Sequence, residues 1–351
     1  MKVVALVVNW NSAEQLPACL AGLDAQDHPD LEVVVVDNAS GDGSDEVLAA
    51  AEAAPRRHPL RVLRNATNRG FAGGINDGLA VTDGDAVLFC NVDVDPAPDL
   101  VSRCAAVLVA DERVGSVQPK LLRTVAAPDG QPVIDTTGHV LTTARLLRNR
   151  GEGERDEGRY ERAGEVFGVS GALALHRRAM LDDVAWRRPD GSREVLTEDL
   201  FAYFDDVELD WRARLLGWRA WYEPTAVGRH ERGGSGVRRT PTVEALNWAN
   251  RLVTIATCDD TRALWRAAPL VAATTLLKTV ELALTVPSAL VPAVRRLALL
   301  PAARRRRREL LARARVPTDQ VVGRWGEPFR WRPWLATWWR RATRRSLGVA
   351  R

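Results

Sequence analysis

Cysteine is scarce in this 351-residue chain: its four copies, Cys19, Cys90, Cys104 and Cys258, form no CxxC pair and follow no regular spacing. A disulfide framework and a thiolate zinc site are therefore not indicated, and the pattern is that of reduced thiols in a cytosolic setting. The GxGxxG fingerprint is missing too. The first apolar run leads into NWNS rather than into glycines, which argues against a dinucleotide-dependent oxidoreductase. No apolar run looks long enough to span a bilayer: Ala267 to Leu277 and Leu282 to Val294 are interrupted by Lys278, Glu281, Pro287 and Pro292 and fall short of roughly 20 residues. The start, MKVVALVVNWNS, is short of apolar residues for a signal-peptide core and reads as a first strand. There is no internal repeat and no recognised nucleic-acid module.

What is present is enough apolar material for a core, 46% hydrophobic against 27% charged, with 12 Trp. The charge is unevenly spread. Residues 301 to 351 hold 15 Arg, no Lys and 3 acids, a net of +12, so the first 300 residues carry −8 of a total of +4. The run Arg304 to Arg308, followed by Trp325, Trp331, Trp334, Trp338 and Trp339 among arginines, combines attraction to anions with aromatics that seek a membrane interface. The ordinary alternative is a solvated charged face packed by tryptophans.

Short valine-rich runs alternate with helical patterns in the first third. Val3 to Val8, Val33 to Val36, Arg61 to Leu63 and Ala86 to Cys90 read as strands, with helices at Ala13 to Ala25, Ser44 to Ala54 and Gly70 to Val81. Continuous rather than alternating apolar strands imply burial on both faces, hence a mostly parallel α/β sheet. Ligands in such sheets bind beyond the strand C-terminal ends. There the chain places Asn9-Trp10-Asn11, Asp37-Asn38-Ala39-Ser40 and Asn91-Val92-Asp93-Val94-Asp95. The acids of the third stretch suit a hard divalent cation that shares oxygen ligands with phosphates, although acids before a proline are also common turn starters. Asp37 either caps the next turn or accepts the imide N–H of a pyrimidine base.

FDDVELDW sets Asp205, Asp206, Glu208 and Asp210 within six positions. Val207, Trp211, Leu215 and Trp218 recur at helical spacing with Gly217 as a stop, so acids in a first helical turn, offsetting its dipole, are the ordinary explanation. A carboxylate held at such a start beside a pocket is equally a good general base. A strand-like run, Arg219 to Val227, stops at His230 before a flexible Arg232 to Gly236, and from about Thr240 the pattern is helical. A lone His is usually structural; beside a suspected metal it becomes a plausible ligand.

Taken in order, VVNWNS, VVVVDNASGDGS, NRGFAGGIN, CNVDVDP, VSGALALHRRAM, YFDDVELDWRARLLGW and YEPTAVGRHERGGSG resemble the motifs of family 2 inverting glycosyltransferases, most closely their rhamnosyltransferase-like branch. The resemblance covers roughly residues 3 to 237 and implies the GT-A nucleotide-sugar fold over residues 1–239, with residues 240–351 a helical, membrane-associating extension. It implies that Asp37 holds the pyrimidine, with Asn9, Asn11, Ser40, Asn68, Gly70 and Asn91 near the nucleotide. Asp93 and His230 would ligate Mn²⁺ or Mg²⁺, with Asp95 an extra ligand. Asp206 would be the catalytic base, and Gly171, Ala172, Glu208, Trp211 and Arg212 would lie on the acceptor side. Relatives commonly read Glu-Asp-Val-Asp where this chain reads Asp205-Asp206-Val207-Glu208, which bears most on Glu208.

The expected activity is transfer of a sugar, rhamnose first, from a dTDP- or UDP-sugar to a polyprenyl-diphosphate-linked or other saccharide acceptor, at an anionic cytoplasmic membrane face and without nucleic acid. Alternatives are another donor such as UDP-galactofuranose, a non-catalytic assembly factor that kept the fold, or a nucleic-acid binder acting through its arginine tail.

Overall fold

A computed structural model describes residues 1–232 and 240–343. The glycine-rich segment after Arg232 and the expected boundary at residue 239 lie outside the described residues. Two compact units are present, one of residues 1–140 and 148–236, the other of residues 141–147 and 237–351.

The first unit begins with β1 (Val3–Asn9), α1 (Leu16–Asp24), β2 (Leu31–Asp37), α2 (Ser44–Ala53), β3 (Leu60–Arg64), α3 (Gly70–Ala80) and β4 (Ala86–Asn91). β1 pairs in parallel with β2 and β4, and β2 with β3. Because β2 lies inside the sheet, Val33 to Val36 are wholly buried, each contributing about 1.5–3 kcal/mol. α3 packs on β1 closely enough that a Cβ on Gly78 would stand 2.2 Å from Leu6 Cδ1.

Beyond β4 the sheet becomes mixed. The chain continues through β5 (Val94–Pro96), α4 (Leu100–Ala110), β6 (Val114–Arg123) and the short strands β7 (Ile134–Thr136), β8 (His139–Thr142), β9 (Leu147–Asn149) and β10 (Gly164–Val166). Then come β11 (Leu173–Arg177), α5 (Arg178–Val184), the ribbon of β12 (Trp186–Arg187) and β13 (Arg193–Glu194), α6 (Asp205–Leu215) and β14 (Arg219–His230). The sheet order is β10-β14-β6-β11-β4-β1-β2-β3, with β5 on β14 and β7 on β6. β11 runs antiparallel between β4 and β6, while β14 is parallel to β6.

The register sets the site. Asn9 pairs with Asp37 and Val8 with Asn91, so the C-terminal ends of β1, β2 and β4 coincide. β11 starts beside the end of β4, with Leu173 opposite Cys90, and the antiparallel pairing of β5 with β14 sets His230 opposite Val94.

The second unit is helical: α7 (Pro241–Cys258), α8 (Thr261–Thr285), α9 (Leu290–Arg295), α10 (Leu300–Arg313), α11 (Thr318–Trp325), the short β15 (Gly326–Glu327) and α12 (Trp331–Thr343). Thr240 and Asp260 cap α7 and α8 by accepting from the Val243 and Ala263 N–H groups at 3.2 and 2.8 Å. Leu141 and Thr142 pair with β15, and Arg145 donates to the buried Asp259 at 2.7 Å.

α8 corrects the sequence expectation. Its 25 residues run unbroken through Lys278 and Glu281, and by length and composition alone it could cross a membrane. Lys278 and Glu281 do not interrupt it because they pair with each other at 2.8 Å, one turn apart. One face is held within the unit by polar contacts: Arg251 donates to Thr274 and Thr275, Trp248 to Thr279, and Trp338 to the Leu277 carbonyl. The other face exposes Trp265, Leu276, Val280 and Leu284.

Candidate active site

Three groups of side chains assemble where the strands end. In the first, Asn9 Nδ2 and Ser40 Oγ both donate to Asp37 Oδ1 at 2.7 Å, and the Ser40 N–H donates to Asp37 Oδ2 at 3.1 Å. The Asn11 N–H donates to Ser40 Oγ at 2.9 Å, and Asn11 Oδ1 accepts from the Gly41 N–H at 2.8 Å. Asn11 and Ala39 take left-handed backbone, φ 51° and 58°, which turns the two loops toward each other. A carboxylate has about four acceptor sites, so Asp37, with three in use, keeps one on Oδ2. Asn68 and Gly70 stand beside this group. Asn68 Oδ1 accepts from the Gly70 N–H at 2.8 Å, and the Gly70 carbonyl accepts from Asn38 Nδ2 at 2.8 Å.

The second group is Asp93 with His230. Asp93 Oδ1 lies 3.3 Å from His230 Nε2, while Nδ1 of the same ring is 2.8 Å from Asp135 Oδ2. Burial alone would lower the His230 pKa; the carboxylates of Asp135 and Asp93 outweigh it and raise the value to about 9. A carboxylate behind an imidazole fixes the ring and directs its other nitrogen outward, the arrangement that supports metal-ligating histidines. Among the described residues no cluster of three His, Cys, Asp or Glu side chains is set to hold a metal. Asp93 and His230, the latter once its ring has given up a proton, would offer oxygen and nitrogen donors, a set that fits Mn²⁺ or Mg²⁺ if phosphate oxygens complete the sphere. Asp95 is corrected as a ligand: it is exposed, and its carboxylate lies against α1, 2.8 Å from where a Cβ on Gly22 would be.

The third group surrounds Asp206, in the first turn of α6. Asp206 Oδ2 accepts from the Gly171 N–H at 3.0 Å and Oδ1 from the Val207 N–H at 2.8 Å. Gly171 packs closely against this side: a Cβ there would stand 3.3 Å from the Asp206 Cβ and 3.5 Å from Phe71. The next residue, Ala172, accepts from the Asn91 N–H at 2.8 Å. A two-residue segment thus joins the end of β4, two positions before Asp93, to the carboxylate of Asp206.

Three acceptor-side expectations are overturned. Glu208 and Trp211 are 1% exposed and Arg212 is fully buried. Arg212 donates to the Val184 and Val195 carbonyls and to Glu208 Oε2, and Glu208 accepts from Thr197. These side chains anchor α6 from behind. The helix is buried on nearly every side rather than along one stripe: its side chains bond to Val184, Val195 and Thr197 from one set of segments and to Phe167 and Val169 from another. Burial, then repulsion from Asp206 and Glu208, pushes the Asp205 carboxyl well above its usual range.

Sequence reasoning missed His139 and Asp135, and took Asp210 only as one of the acids at a helix start. His139 Nδ1 donates to Asp210 Oδ2 at 2.7 Å, and Nε2 lies 3.6 Å from Asp206 Oδ2. The only sign in the sequence was a polar run, Asp135-Thr136-Thr137-Gly138-His139, between Ile134 and Val140.

A family model described as glycosyl transferase family 2 matches residues 5–185. The chain belongs to that family. Two curated relatives are an uncharacterized glycosyltransferase of Nostoc sp., 32% identical over 116 residues, and the poly-beta-1,6-N-acetyl-D-glucosamine synthase of Staphylococcus epidermidis, 21% identical over 225 residues. Those matches cover 33% and 63% of this chain, and the chain spans 35% and 48% of the two relatives. Among solved structures, GalNAc-T7 with UDP, GalNAc and Mn²⁺ shares the fold at a TM-score of 0.61 and 10% identity, over 92% of this chain and 56% of that one. As a family 2 glycosyltransferase with a GT-A-like sheet, the chain has its polar residues at the strand ends where the doubly wound architecture places a ligand.

Proposed function

We propose that this chain is a metal-dependent inverting glycosyltransferase that moves a sugar, rhamnose as the leading candidate, from a dTDP- or UDP-sugar to a lipid-linked saccharide in surface-polysaccharide synthesis. The observation that carries the reading is the 171–172 segment, which ties Asp206 to the strand end bearing Asp93. A donor bound along the strand ends would meet Asp37 with its base, through the remaining acceptor site on Oδ2, and the Asp93–His230 pair with its diphosphate.

Asp206 then takes the proton of the acceptor hydroxyl as that oxygen's electron pair forms the new bond to the anomeric carbon. The bond from that carbon to the diphosphate oxygen breaks on the opposite face, its electron pair leaving with the nucleoside diphosphate, so configuration inverts. Asp93 and His230 would hold the divalent cation, whose charge, when bound, offsets the negative charge gathering on the diphosphate. The Gly171 and Val207 N–H groups keep the Asp206 carboxylate in one orientation.

The helical unit supports a peripheral place at the inner face of a membrane. α8 is held along one face by α7 and α12, contacts it would lose by spanning a bilayer, and its free face is apolar. Arg304 to Arg308 on α10 add the charge that draws such a surface to anionic lipid.

The test is sugar transfer by the Asp206→Asn protein across dTDP- and UDP-sugars with and without Mn²⁺. A loss of 10²- to 10⁴-fold in rate, with protection by nucleotide against thermal unfolding kept, is expected for a removed base. Wild-type transfer by the variant would overturn the assignment.

A further inference from the structure

Behind Asp206 a second carboxylate and an imidazole form a line that the reaction as proposed does not use. Asp210 is one turn along α6 from Asp206 and is fixed three times: its Oδ1 and Oδ2 accept from the Val169 N–H at 3.1 and 3.0 Å, and Oδ2 also accepts from His139 Nδ1 at 2.7 Å. The space for it exists because residue 168 is glycine; a Cβ there would stand 1.9 Å from Asp210 Oδ2. His139 is buried, and its backbone N–H donates to the Gly168 carbonyl at 2.9 Å, so the residue is held by its main chain as well as by Nδ1 of its ring. With Nδ1 committed to Asp210, Nε2 lies 3.6 Å from Asp206 Oδ2.

We infer that His139, oriented by Asp210, is a positioning residue for the general base: it presents Nε2 to Asp206 Oδ2 and holds the carboxylate in one rotamer toward the acceptor. The inference rests on the reading of Asp206 as the base. Among the described residues the largest charged contributions to the His139 ring come from α6, namely Asp206, Asp210 and Asp205; segment 168–171 bonds to these groups through its backbone. Burial lowers the affinity of the ring for a proton, and the three carboxylates together outweigh it and raise its pKa above the ordinary value. The ring is therefore protonated below that raised value and sets a cation 3.6 Å from Asp206 Oδ2.

The experiment is the pH dependence of transfer by His139→Gln and Asp210→Asn proteins at saturating donor, with thermal melts at each pH. In His139→Gln the loss of the cation is expected to move the acid limb of the kcat profile up by about one pH unit and to lower kcat about ten- to a hundredfold, with the donor KM within twofold. Asp210→Asn, which still accepts from Val169, moves the limb the same way by less, and serves if His139→Gln does not fold. A folded variant with an unmoved limb, its loss confined to the melting temperature, would make His139 structural only and overturn the inference. An inactive Asp206→Asn beside an unmoved limb in His139→Gln sinks this inference alone. An active Asp206→Asn removes the base assignment and the inference with it.

Discussion

At His176 burial decides a protonation state without any part in the site. The ring is wholly buried, its centroid 4.3 Å from that of Phe89, and desolvation pushes its pKa down to about 3. The unfolded chain takes up a proton near pH 6.5 that the native state refuses until about pH 3. Stability from this group is therefore fully present above pH 6.5 and lost as the pH falls toward 3, at about 1 kcal/mol per pH unit. Urea denaturation at pH 7, 6 and 5 should show that slope in wild type and less of it in His176→Leu. Arg212 makes the same point for charge. Arg212→Met would leave Glu208 buried without its cation, at a cost of about 3–5 kcal/mol, measurable as a lower urea midpoint. A residue on the acceptor side would instead have raised the acceptor KM and left stability alone.

Among the elements, α3 and the loop before α6 depend on each other. Gly70 has φ +70°, and a Cβ there would lie 2.3 Å from the Phe201 carbonyl, which also accepts from the Ala72 N–H at 3.1 Å. The loop itself is strained, with Phe201, Tyr203 and Phe204 all at φ between 66° and 68°, and Phe204 is the residue that starts α6. Such backbone costs of order 1–3 kcal/mol per residue and persists only when neighbours enforce it. Gly70→Ala should therefore lower stability by about 1–3 kcal/mol and, by shifting the loop that sets Asp205 and Asp206, reduce transfer more than nucleotide binding. Parallel melts and kinetics on the purified variant separate the two effects.

For the whole molecule, the separation of charge seen in the sequence reappears as a division of labour. The sheet unit carries the acids of the site, and the helical unit carries the arginines and an apolar helix face. Part of the tryptophan cluster is ordinary packing: Trp331 and Trp334 stack edge-on with each other and with Phe329, and Trp338 donates to the Leu277 carbonyl. Trp339 is exposed. In flotation with anionic vesicles the protein should bind, bind less as salt rises, and lose about tenfold or more in affinity in a Leu276→Glu, Leu284→Glu double variant. Binding unchanged by the double variant would rule out this helix face.

The strands, the first helices and the polar residues at their ends were legible because a fully buried parallel strand needs an unbroken apolar run, and Val33 to Val36 can be little else. Asp37, Asp93 and Asp206 could be picked out by type and place along the chain. The partners of those acids could not, since Asp135 meets His230 across 95 positions and His139 meets Asp210 across 71. Nor could the burial of Glu208, Trp211 and Arg212, because helical periodicity says which residues share a face and not how many faces are covered. Local preference and apolar pattern are properties of neighbouring residues and are written in the chain; which carboxylate is paired, desolvated or left facing the crevice depends on groups that only folding brings within a few ångströms.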